Sequence, residues 1–179
     1  IDRILALAAS APAAARVSDA AGPAGAGGEG LRIGYLRDSA FTFYYPENLE
    51  ALEAAGAALV PISSLTTARL PEHLDALYIG GGFPETHAAA ISANTSFLDD
   101  LRRHAEAGLP VYAECGGLML LARAIRQGER VSPMSGVFPW EVELHRAPQG
   151  HGYAELVVDR ANPYFPVGQR IRGHEFHYS

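Results

Sequence analysis

From Leu31 onward, short apolar runs alternate with longer segments whose apolar residues recur at helical spacing. Leu31–Leu36 (LRIGYL), Ala57–Ile62, Ala76–Ile79 (ALYI) and Leu109–Ala113 (LPVYA) predict strands. Between them, 46–55 (PENLEALEAA) predicts a helix with Pro46 in its first turn and Gly56 as its stop. A second helix is predicted over Phe97–Ala107, with Asn94, Thr95 and Ser96 available as caps and Gly108 as its end. The run GGLMLLARAIRQG, 116–128, predicts a third. Buried strands alternating with crossover helices are the pattern of an α/β fold, an open, mostly parallel sheet with flanking helices. Towards the end the pattern changes: alternation over Val137–Leu144, Tyr153–Val158 and Arg170–Tyr178 predicts extra, partly antiparallel strands. No internal repeat is visible.

Residues 1–30 differ from the rest. Ile4, Leu5, Leu7 and Ala8 suit a turn or two of amphipathic helix, after which Ala, Gly and Pro dominate without bulky apolar residues. Such a stretch buries too little surface to offset backbone ordering, so it reads as the tail of a preceding domain and a linker. The following 31–179 reads as one domain, a size that needs no disulfide staples.

Composition narrows the chemistry. At 48% hydrophobic and 19% charged, the chain of 179 residues falls in the ordinary globular range. Its apolar runs reach about six to eight residues, against the roughly 20 that cross a bilayer, so no membrane partner is expected. Acidic residues exceed basic ones by 20 to 14, and no basic run is long enough to track a phosphate backbone, which excludes nucleic acid. All 14 basic residues are Arg. Without a lysine there is neither a Schiff base nor a Walker A phosphate loop in this stretch. The single cysteine, Cys115, excludes an internal disulfide and a multi-thiolate metal site, and a reducing, cytoplasmic setting is expected.

Cys115 stands between a predicted strand and a predicted helix, in Ala113-Glu114-Cys115-Gly116-Gly117. That is the layout of a nucleophile elbow: small neighbours permit a sharp turn, and the following helix N-terminus favours a thiolate. A buried structural cysteine is the competing reading. Gly80-Gly81-Gly82 follows a predicted strand end, where open sheets place ligands, and suits either a tight turn or an oxyanion cradle. Near the end, Gly173-His174-Glu175-Phe176-His177-Tyr178 carries two histidines and a carboxylate. On a strand, His177, Glu175 and Gly173 share one face while His174 takes the other, which makes a shared metal improbable and leaves no metal site expected. A thiol needs a base, and a strand-end histidine supplies one.

A cysteine elbow, a glycine loop and a late histidine together resemble triad-class glutamine amidotransferases, which typically show G-x-C-x-G and a late F-H-P-E. Phe176-His177 matches the Phe-His pair, but Tyr178 and Ser179 stand where Pro and the triad Glu would be. Four blocks, 43–49 (FYYPENL), 80–85 (GGGFPE), 113–119 (AECGGLM) and 172–179 (RGHEFHYS), resemble the cobyrinate a,c-diamide synthase family. The resemblance covers 31–179 and implies a flavodoxin-like glutaminase domain. It further implies that 1–30 is the end of a missing synthetase domain and its linker, ATP and Mg²⁺ belonging to that amino-terminal domain and no cofactor to this one.

By the same resemblance, Cys115 is the nucleophile towards glutamine and His177 its base. The N–H groups of Gly82 and Gly116 form the oxyanion hole, and Glu175 or nothing replaces the triad carboxylate. His177, rather than His174, is then expected to face the sulfur. Ammonia would pass to the synthetase domain and amidate the a and c acetates of a tetrapyrrole: cobyrinate or hydrogenobyrinate, alternatively sirohaem or (nickel) sirohydrochlorin. Two rivals remain: a non-catalytic docking module with this fold, and a cysteine hydrolase of the related peptidase or chaperone type.

Overall fold

Strands β1 (Arg32–Leu36), β2 (Ala58–Ile62), β3 (Ala76–Ile79) and β4 (Val111–Ala113) pair in parallel, in the order β2-β1-β3-β4. The computed structural model describes residues 30–162 and 164–179. The expected synthetase-domain end and linker therefore lie outside the described residues, save for Gly30. The chain leaves β1 towards β2 on one side and returns to place β3 on the other. The loops after β1 and β3 therefore leave the carboxyl edge at the switch in strand order, where open parallel sheets place their ligands.

Local chemistry explains the helices. Helix α1 (Pro46–Ala54) starts at Pro46, whose missing N–H costs nothing in a first turn, and buries none of its residues. Between β3 and β4 run α2 (Ala88–Ala93) and α3 (Thr95–Glu106). The Ala-rich α2 carries no periodic apolar signal and was not expected. Asn94 precedes α3 without capping it through its side chain; the amide instead donates to the Ser64 and Thr67 carbonyls, both at 2.9 Å. Helix α3 buries Phe97, Leu98 and Leu101 against Leu36, Ile62, Leu77 and Ile79 of the sheet, and this is the centre of the core. Asp100 is also buried, because it accepts the Leu70 N–H at 2.7 Å and the Arg103 guanidinium at 2.5 Å.

The predicted helix over 116–128 is corrected. Helix α4 (Gly116–Leu121) stops after Leu121, Ala122 turns extended, and β5 (Ala124–Gln127) follows. The segment 135–138 satisfies the carbonyls left at the helix end: Ser135 N donates to Leu120 O (3.1 Å), Phe138 N to Leu121 O (2.9 Å) and Gly136 N to Ala122 O (2.9 Å). Strand β5 pairs antiparallel with β6 (Arg130–Pro133) and parallel with β7 (Glu141–Glu143), forming a second, three-stranded sheet. A run of apolar residues has no period that separates helix from buried strand, which is why the sequence reading merged the two.

Strands β8 (Gly150–Val157) and β9 (Arg170–His177) form an antiparallel hairpin. Among the described residues no helix is long and apolar enough to cross a membrane.

Candidate active site

Three loops meet at the carboxyl edge of the four-stranded sheet. The first is 37–45, after β1. Its start is set by Asp38, whose carboxylate accepts the N–H groups of Ala40 and Phe41 and, across the edge, the N–H and hydroxyl of Ser64 at 2.6 and 2.8 Å. Its end is set by Tyr44. The phenol donates to the Leu36 carbonyl at 2.5 Å and accepts the Gly80 N–H at 2.9 Å, clamping the first loop onto the glycine loop after β3. Burial, above all, pushes the Tyr44 hydroxyl well above the ordinary phenol range, so it stays a donor.

The Tyr44 clamp predicts a measurable cost. Tyr44→Phe leaves the Gly80 N–H and the Leu36 carbonyl without this partner, so unfolding is expected about 1–3 kcal/mol earlier on the stability scale. A urea titration checks it; an unchanged midpoint at an unchanged slope would remove the clamp from the account.

The glycine loop needs its glycines. Gly81 exchanges backbone hydrogen bonds with Phe43, N to O at 3.2 Å and O to N at 3.0 Å. A Cβ on Gly82 would fall 2.1 Å from the Ala40 carbonyl oxygen, a distance no side chain tolerates. The third loop is the elbow. Glu114 N donates to the Ile79 carbonyl, ending β4, and Cys115 then takes φ 51°, ψ −115°, a left-handed conformation costly for any residue with a Cβ. The two glycines after it permit the close approach: a Cβ on Gly117 would lie 2.3 Å from the Ile79 carbonyl oxygen, and one on Gly116 would lie 2.8 Å from the Pro84 ring and 3.1 Å from Gly82 N. Small residues flanking a strained Cys115 are what the sequence led us to expect.

The strain presents Cys115 to solvent rather than to the core. It lines a cavity of about 410 Å³ together with Thr42 to Tyr45, Gly81 and Glu114. Among the described residues, the N–H groups of Gly82 and Gly116 have no acceptor, and the Gly116 contact distances place these two peptides side by side. Glu114 and the tyrosines were not singled out from sequence. Tyr78, deep in β3, donates its hydroxyl to Glu114 Oε1 at 2.7 Å, and burial raises its pKa to about 12. Tyr44, Tyr78 and Tyr112 stack edge to face in succession along this side of the sheet. Tyr78 and Tyr112 are paired neighbours on β3 and β4, and Tyr44 reaches Tyr78 from the loop after β1, a grouping that only the pairing reveals.

His177 ends β9 on the face expected for it. Its Nε2 lies 3.5 Å from Glu175 Oε2 and its Nδ1 2.5 Å from the Ser179 carbonyl oxygen, over the bare backbone of Gly150. His174 points the other way, against His151 and Tyr153. The structure brings His177 and Glu175 together but does not bring either to Cys115: neither lines the cavity, and no hydrogen bond joins His177 to the sulfur. The reason is packing. The hairpin is tied to the preceding segment through His145 N to Tyr178 O and Gln149 N to His177 O, while no side chain of β8 or β9 joins the hydrophobic core, so no apolar packing sets its distance from the sheet. No group of three or more metal-binding side chains occurs among the described residues.

Residues 32–179 match the model of the CobB/CobQ-like glutamine amidotransferase domain. The chain belongs to that family. Relatives of this amidotransferase domain include a cobyrinate a,c-diamide synthase of Caldanaerobacter subterraneus, 50% identical over 151 residues, 83% of this chain and 33% of that protein. One from Magnetococcus marinus is 46% identical over 184 residues, 100% of this chain and 39% of its own length. One from Methanothermobacter thermautotrophicus is 46% identical over 151 residues, 83% of this chain and 32% of its own length. The chain thus spans 32 to 39% of the length of these relatives. The family fold agrees with a solved structure, PurLQS from Thermotoga maritima, at a TM-score of 0.57 and 15% identity, covering 83% of this chain and 66% of that one.

Proposed function

We propose that this amidotransferase domain is the glutaminase half of an ATP-dependent cobyrinate or hydrogenobyrinate a,c-diamide synthase. The observation that carries the proposal is the strained, exposed Cys115 at a cavity, close to two backbone N–H groups that have no acceptor among the described residues. In the proposed reaction the Cys115 thiolate adds to the amide carbon of glutamine, and the carbonyl oxygen, now an oxyanion, takes the N–H groups of Gly82 and Gly116. The carbon–nitrogen bond breaks as His177 returns its proton to the departing nitrogen, which leaves as ammonia. Water then attacks the γ-glutamyl thioester, releasing glutamate and restoring the thiol. Glu175, beside His177 and on the same face, serves as the orienting carboxylate in place of the Glu typical of triad-class glutamine amidotransferases. Ammonia passes to the amino-terminal synthetase domain, where ATP and Mg²⁺ activate the tetrapyrrole acetates.

For His177 to take the Cys115 proton, the β8–β9 hairpin must close on the sheet edge. That requirement gives a reason for coupling, because a site whose base is elsewhere stays idle. A second candidate lever, a turn of the Gly81–Gly82 peptide, costs the Gly81 carbonyl its bond from Phe43 N–H, about 0.5–1.5 kcal/mol. The isolated domain is therefore expected to release glutamate slowly, and the rate to rise when synthetase domain, ATP and tetrapyrrole are supplied together. A steady-state glutamate assay tests both halves: turnover by the isolated domain as fast as by the loaded full-length protein refutes the coupling. No glutamate release by the loaded protein refutes the glutaminase itself.

A further inference from the structure

Glutamine is a zwitterion at neutral pH, and a site that hydrolyses it has to accommodate an ammonium group near the amide it attacks. The Cys115 cavity offers one charged side chain for this, Glu114, among tyrosines, Phe43, Thr42 and backbone. We infer that Glu114 binds the α-ammonium group of the amino-acid substrate and makes the site selective for α-amino amides over simple amides. This rests on the glutaminase reading above and adds a specificity-determining residue to it.

The geometry is suitable. Consecutive Cα atoms are about 3.8 Å apart, so the Glu114 side chain starts next to the nucleophile. Four bonds of about 1.5 Å place the α-nitrogen of an extended glutamine roughly 5 Å from its amide carbon, within the reach of that side chain. Tyr78 fixes the carboxylate in advance by donating to Oε1 at 2.7 Å and the Tyr112 hydroxyl also lies within reach of it, while the carboxylate keeps lone pairs that can take an ammonium N–H. The buried phenol keeps its proton throughout the neutral range, so it remains a donor to the carboxylate and does not compete with the substrate for it. A carboxylate already held by tyrosine hydroxyls, with lone pairs to spare, loses less freedom on binding a cation than a free surface glutamate does.

Full-length protein supplied with ATP and tetrapyrrole provides the test, with glutamine compared against 4-carbamoylbutanoate, the same amide lacking the α-amino group. Glu114→Gln is expected to raise KM for glutamine roughly 10- to 100-fold with kcat within a few-fold, and to change kcat/KM for 4-carbamoylbutanoate less than twofold. The preference between the two amides then collapses. A thermal unfolding midpoint close to the wild type shows that the variant is folded. Glu114→Asp, which keeps the charge on a shorter arm, is expected to retain most of the preference. Loss of the preference in the Asp variant as complete as in the Gln variant overturns the assignment, as does an equal effect of Glu114→Gln on both amides or no effect on either, and each leaves the glutaminase reading standing. If the wild-type protein hydrolyses no glutamine, that reading fails and the subsite falls with it.

Discussion

On the proposed reading, replacing Cys115 by Ala or Ser in the full-length protein is expected to abolish glutamine-dependent amidation while amidation from added ammonia continues at nearly its original rate. The expected loss with glutamine is at least about a thousandfold, since a missing nucleophile cannot be replaced by positioning alone. Stability should hardly change, because Cys115 is exposed and Ala and Ser keep the Cβ that makes its left-handed backbone costly. The two nitrogen donors separate the readings. A non-catalytic docking module predicts no difference between wild type and variant with either donor, and equal loss with both donors would place Cys115 in the synthetase chemistry instead. Parallel rate measurements with glutamine and ammonium chloride decide between them.

Gly82→Ala gives the second large effect. The new methyl would stand 2.1 Å from the Ala40 carbonyl oxygen and 2.9 Å from the Phe41 Cα, both backbone atoms that a side-chain rotation cannot move out of the way. The loop has to shift, and with it the N–H assigned to the oxyanion. Loss of one such donor lowers kcat by about 100- to 1000-fold, and the overpacking costs about 1–3 kcal/mol of stability. Gly81→Ala is the comparison: its Cβ would meet Phe43 Cβ at 3.2 Å and Cys115 Cβ at 3.5 Å, contacts that a small adjustment relieves. A tenfold or smaller loss is expected there. If the two alanine variants lose glutaminase activity equally, the oxyanion assignment to Gly82 is wrong, and ammonia-dependent amidation again controls for the rest of the protein.

The sequence alone determined what depends on near neighbours along the chain. Strands β1 to β4 are short apolar runs with glycine or proline punctuation, and each was legible within a residue or two of its observed bounds. The elbow was legible as a turn with small residues between a strand and a helix, although what Gly116 and Gly117 make room for, Pro84, Gly82 and the Ile79 carbonyl, lies far away in the sequence. So was the sharing of one β9 face by Glu175 and His177, which follows from the two-residue period of a strand. Tertiary structure decided the rest. Whether 122–127 continues a helix or begins a strand depended on the 135–138 segment reaching the carbonyls of Leu120 to Ala122, a contact with no local signature. Tyr44, Tyr78 and Glu114 became parts of the site through hydrogen bonds spanning 36 residues of sequence, created when strands distant in the chain lie side by side. The distance from His177 to Cys115 was likewise beyond the reach of any motif, because it is set by how a mostly exposed hairpin lies against the sheet, and periodicity carries no information about packing between elements that share no core.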